Sequence, residues 1–169
     1  MLDGALLVTG EVDRTIQFES GMPGHQALRG GEWKPDPLIL DDQAILLNVR
    51  DKGFVVLTRC GHASIVNTVR YAKKLTGIEE VYAIIGGFHL SGPAFEPPIP
   101  ETCDALAAFS PQVFVPPIAR ATVPFTSWPP NCPTPSYRAG WERGSSCGAR
   151  PCGPTTFPGA VRNMSKDVA

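Results

Sequence analysis

The stretch VVLTRCGHASIVNTVRYAKKL, from Val55 to Leu75, decides the fold. It continues an apolar run that begins at Phe54. An unbroken run of this kind reads as a strand buried on both faces. The period then changes at once. From Ser64, apolar residues recur at Ile65, Val66, Val69, Ala72 and Leu75, which is the spacing of one helix face. Ser64 is placed to cap that helix and Gly77 to stop it. Arg59, Cys60, Gly61 and His62 stand at the junction, so a histidine is delivered to the end of a buried strand.

Reading outward, Leu6–Val8 predicts a short strand, and the polar, glycine-rich run from Glu19 to Pro37 predicts a loop. Leu38 to Val49 predicts a strand, joined to the next by a tight turn at Arg50 to Gly53. Val81 to Ile85 is a second buried strand. A helix fits Glu101 to Phe109, with Pro100 just before it, and Gln112 to Val115 is the last strand. From Phe54 the order is strand, helix, strand, helix, strand. Such crossovers make the neighbouring strands parallel. Their carboxyl ends share one sheet edge, where open α/β sheets hold ligands. His62 follows the first of these strands and His89 the second, so both reach that edge.

Each histidine either binds a divalent cation through a ring nitrogen or satisfies a hydrogen bond at a strand end. Their shared edge and flanking glycines, Gly61 and Gly86-Gly87, bring the metal reading level with the hydrogen-bond one. Cys60 is either a third ligand or a buried structural thiol. His25 lies in the loop and reads as a surface residue. Ser64 is not placed as a nucleophile for His62, because residues two apart do not face each other on a helix. No acid is placed in the sequence to orient an imidazole as a triad requires. IIGGFHL lacks the lysine and spacing of a phosphate loop. Cys132, Cys147 and Cys152 lack the paired spacing of a structural zinc site.

The 169 residues suffice for one domain. A net charge of −1 favours neither nucleic acid nor an acidic membrane surface. No apolar run approaches the roughly 20 residues that span a bilayer. The start lacks a basic region and a small-residue cleavage site, so no signal peptide is expected. Five cysteines without a disulfide framework point to a cytoplasmic, reducing setting. Composition breaks near Pro116. Residues 117–169 hold only Glu142 and Asp167 among the 16 acids, and half of the 18 prolines. That segment is expected to be disordered or loosely packed.

LTRCGHASIVNTVRYA, VYAIIGGFHLSGPAFEPPI and VFVP, in that order, resemble the metallo-β-lactamase fold superfamily. The branch they are most similar to is the dihydropterin ribofuranosyl-aminobenzene phosphate synthase-like metal-dependent hydrolases. TGEVDRTIQFESG and EWKPDPLILDDQAILLNV share that likeness, which covers residues 1–116. The resemblance implies an α/β fold, the C-terminal half of an αββα sandwich. It implies one or two divalent metal ions, usually zinc, a metal-activated water as nucleophile, and a small-molecule substrate. By that likeness His62 corresponds to a metal ligand and His89 to a metal or active-site residue, and Glu11 and Arg14 to a segment that shapes the substrate pocket. Arg59 stands where the family has a small residue, and it is expected to crowd the metal.

Two family motifs are missing. HxHxDH, which supplies most ligands of the first metal, is not in the sequence. The chain is therefore expected to begin midway through the fold; the alternative is a non-catalytic binding module that pairs with a separately encoded N-terminal half or another protein partner. The last histidine, in a VPAHCTG motif, is replaced by PIARAT after VFVP. Reading the codons after Pro116 one base out of register permits AHCTG there. Residues 117–169 are accordingly read as an out-of-frame tail. The alternative is a native proline-rich interaction tail on a non-catalytic binding module. On this reading the isolated chain has little hydrolase activity.

Overall fold

The computed structural model describes residues 6–19, 21–116 and 128–136. The chain divides into one compact unit from Met1 to Tyr137 and a second, Arg138–Ala169, which lies outside the described residues.

Five strands form the main sheet: β1 (Leu6–Val8), β4 (Ala44–Val49), β5 (Gly53–Thr58), β6 (Val81–Gly86) and β7 (Val113–Val115), side by side in that order. β1 and β5 run antiparallel to β4. β5, β6 and β7 are parallel to one another. The helices α1 (Ile65–Thr76) and α2 (Ile99–Phe109) are the two crossovers. The strand–helix alternation read from Phe54 onward is the observed one.

The ends of α1 follow from its sequence. The Ser64 hydroxyl accepts from the amides of Val66 and Asn67, and Gly77 ends the helix in the left-handed region at φ 67°. Lys73 and Lys74 lie in its last turn, where the helix dipole favours cations. Leu75, counted with the buried face by its spacing, is exposed instead. α2 starts at Ile99, two residues before the predicted Glu101, with Pro100 inside its first turn.

Two adjacent cross-strand rows show how the sheet is used. Leu7, Leu46, Val56, Ile84 and Phe114 are successive partners across all five strands. The last four are no more than 2% exposed, and they join Val66, Val69, Ala72, Cys103 and Leu106 of the helices in one core. Val8, Ile45, Leu57, Ile85 and Val115 form the next row, and side chains alternate faces along a strand. This second row is equally apolar, yet Val8 and Ile45 are 50% and 40% exposed. Among the described residues both helices belong to the first face.

Two predictions for the N-terminal part differ from the structure. The loop predicted from Glu19 to Pro37 contains a hairpin, β2 (Gln26–Arg29) and β3 (Glu32–Pro35), turning at Gly30-Gly31. The strand predicted from Leu38 begins only at Ala44. Leu38 to Asp42 makes successive turns instead, through Ile39 N–H to Asp36 O and Asp42 N–H to Ile39 O.

Residues 128–136 are part of the first unit. Trp128 and Cys132 join its core. The Phe114 amide donates to the Ser136 hydroxyl, and the Ser136 amide donates to Phe114 O. Compact structure therefore extends past Pro116. Among the described residues, no helix is long and apolar enough to cross a membrane.

Candidate functional site

The parallel strands β5 and β6 deliver His62 and His89 to the same sheet edge. Their rings meet edge to face with centroids 4.6 Å apart. Glycines allow this approach. A side chain at Gly61 or Gly87 would run into backbone atoms of the facing loop, Gly87 and Arg59 respectively. The Gly87 amide donates to Arg59 O at 3.1 Å, and the Thr58 hydroxyl donates to Gly87 O at 2.8 Å. The two histidine-bearing loops are thus locked backbone to backbone. His89 itself sits at φ 54°, a conformation a non-glycine residue rarely adopts.

His89 packs on Phe95, centroids 4.4 Å apart, and its Nε2 is buried without a hydrogen-bond partner among the described residues. Burial depresses the His89 pKa first and the neighbouring His62 depresses it further, against an opposing pull from Asp42. An unpartnered buried ring nitrogen is costly unless it serves as a ligand or acceptor.

His62 has a carboxylate beside it. Asp42 Oδ1 lies 3.6 Å from His62 Nδ1, an ion-pair distance longer than a hydrogen bond. The other oxygen of Asp42 accepts from the Ala63 amide at 2.8 Å. The absence of an orienting acid, read from sequence, is corrected here. Asp42 is far from His62 along the chain, and the turn at Leu38–Asp42 brings it in.

Both histidines open on a small cavity of about 40 Å³, lined also by Phe18, Glu19, Phe88 and Phe95. The Glu19 carboxylate accepts from the Thr102 hydroxyl at 2.6 Å. Burial pushes its pKa up, and hydrogen bonds from Thr102 and Ser64 partly offset this. Glu19 is a site residue that sequence reasoning passed over, because it read only as the start of a loop.

The other sequence candidates do not line the cavity. Arg14 is half-buried and clamps backbone, donating to His62 O at 3.1 Å and to Leu38 O. Burial lowers its pKa, opposed by Asp42, Asp36 and Glu11. Glu11 is exposed, Cys60 is a half-buried free thiol, and Arg59 is exposed and not among the residues that line the cavity. His25 bonds Asp36 O at 3.1 Å and closes the foot of the β2–β3 hairpin.

Comparison with known proteins fits this geometry. A solved metal-dependent hydrolase of the β-lactamase superfamily superposes with a TM-score of 0.53 at 22% identity, over 67% of this chain and 42% of that one. The fold is that of the metallo-β-lactamase superfamily. No family model matches the chain. It is 43% identical over 51 residues to the 7,8-dihydropterin-6-methyl-4-(β-D-ribofuranosyl)-aminobenzene-5'-phosphate synthase of Methanocaldococcus jannaschii, covering 30% of this chain and 17% of that protein. An uncharacterised protein of the same organism is 34% identical over 91 residues, 54% of this chain and 31% of that protein. The chain thus spans less than a third of either curated relative and under half of the solved one.

The metal that this fold suggests is only partly provided for. The unpartnered Nε2 of His89 beside His62 suits two nitrogen donors. Among the described residues, however, no three of His, Cys, Asp and Glu come together to hold an ion. A catalytic zinc takes about three protein ligands and an open position. The described donors therefore do not by themselves make a catalytic metallo-β-lactamase centre.

Proposed function

We propose that this chain is part of a metal-dependent hydrolase of metallo-β-lactamase fold, in which His62 and His89 are ligands to zinc or another divalent ion. Donors outside the described residues complete the centre. The observation that carries this reading is the buried, unpartnered Nε2 of His89 at the cavity it shares with His62. Asp42 orients His62, and Glu19 offers the cavity a carboxyl for a small-molecule substrate. The isolated chain is a poor hydrolase.

Zinc titration of the purified chain, followed through the imidazole C–H signals of His62 and His89, tests the ligand roles. Both sets of signals are expected to move together, with weak affinity, and His62→Ala is expected to abolish the response at His89. Unmoved imidazoles overturn the ligand assignment. Tight zinc binding with hydrolysis of a phosphodiester or lactone by the chain alone overturns the incompleteness.

The exposed row from Val8 to Ile45 supports a second element of the reading, a protein partner that carries the remaining donors. A non-catalytic binding module is the competing form of it. An adjacent reading frame encoding HxHxDH favours the split hydrolase, and its absence favours the module. The out-of-frame origin of residues 117–169 belongs to the same proposal, as does a cytoplasmic location. An intact frame across the Pro116 codon in the source DNA, with the native tail expressed, overturns the former. Cell fractionation checks the latter.

A further inference from the structure

Away from the cavity, Cys103 and Cys132 face each other. Cys103 lies on the buried face of α2 and is 0% exposed, and Cys132 is 8% exposed. Both are free thiols within one core cluster, and their side chains interact. Cys132 is held in place by a turn, its amide donating to Pro129 O at 3.0 Å. Next to it, the Asn131 side chain donates to the Asp104 carboxylate. Ser136 binds Phe114 from both its amide and its hydroxyl. Segment 128–136 is therefore anchored to α2 beside the thiol pair and to β7 beyond it.

We infer that Cys103 and Cys132 form a reversible disulfide that fastens segment 128–136 to α2 when the chain meets a small-molecule disulfide. Cys132 keeps some exposure and Cys103 none, so the reagent enters from the Cys132 side. The Cys132 thiolate attacks one sulfur of the reagent and expels the first thiolate, leaving a mixed disulfide. The Cys103 thiolate then attacks the Cys132 sulfur and expels the second. Two protein thiols are oxidised, one small disulfide is reduced to two thiols, and the two protein protons end on the released thiolates. A thiol pool such as the reducing cytoplasm restores the open form.

The test incubates the full chain with oxidised glutathione and maps its peptides without reduction. A Cys103–Cys132 cross-linked peptide is expected, with the loss of two hydrogens. The melting temperature is expected to rise by roughly 5–10 °C, because the bond restricts the unfolded chain. Cys132→Ser is expected to lose both effects. The double change Cys147→Ser with Cys152→Ser is expected to keep them, which separates this pair from the others in the sequence. A persistent glutathione adduct at Cys132, or no cross-linked peptide between these two residues in the wild-type chain, overturns the inference without need of any variant.

Discussion

The imidazoles of His62 and His89 meet edge to face, 4.6 Å between centroids, although a helix and a strand separate them in the chain. The loops that carry them touch through Gly61 and Gly87, with no room between them for a methyl group. Gly61 also adopts φ 69°. Gly61→Ala should therefore cost roughly 1–3 kcal/mol and part the two rings. Urea unfolding measures the first effect and the loss of ring–ring NOEs between the histidines the second. Unchanged NOEs would show that the glycine contact does not set the pair.

Asp42 links the turn at Leu38–Asp42 to the start of α1 through the Ala63 amide and stands beside His62. Asp42→Ala leaves that amide unpartnered in a half-buried setting. A stability loss of about 1–3 kcal/mol is expected. The second expected effect is a His62 ring that no longer holds one orientation. Crystallography or side-chain NMR of the variant checks it, and a His62 ring fixed as before would remove Asp42 from the site.

The contrast between these residues explains what the sequence discloses. His62 and His89 were legible because each ends an apolar run, and such runs announce buried strands. Asp42 and Glu19 were not, since a carboxylate in a turn has no periodicity and reaches the site through contacts distant in sequence. The Leu38–Leu40 run misled for a related reason. It is apolar because Ile39 is buried in a turn, not because the backbone is extended. The β2–β3 hairpin was hidden because both its strands lie largely in solvent, leaving no alternation of apolar and polar positions. Its Gly30-Gly31 turn was the one available signal.

Glu19 gives a pH prediction with a definite sign. Its carboxyl ionises near 4.5 when unfolded and higher when folded, chiefly because of burial. Between those two values the folded chain binds more protons than the unfolded one. The contribution of Glu19 is thus complete below 4.5 and is lost as pH rises through the folded value. Glu19→Gln removes this dependence while keeping a carbonyl to accept from Thr102. Urea midpoints of the wild type should fall relative to those of Glu19→Gln as pH is raised from 4.5 to neutrality. Parallel curves for the two proteins would refute the buried-acid assignment.

Ile45 and Leu46 are neighbours on β4 that point to opposite faces of the sheet. Leu46 is 2% exposed under the helices, and Ile45 is 40% exposed in the second row. Leu46→Ala should cost about 2–5 kcal/mol, because it leaves a hole in a closed core. Ile45→Ala should cost less than about 1 kcal/mol in the isolated chain, where its side chain keeps much of its contact with water. The more informative change is Ile45→Lys. If the second face awaits a partner, the charge should leave folding intact, reduce self-association of the isolated chain and abolish pairing with the chain that completes the fold. Sedimentation velocity reads self-association, and denaturant unfolding reads stability. A loss in Ile45→Lys as large as that in Leu46→Ala would mean that this face is already covered within the chain, and the reading of the second row as a partner surface would fall.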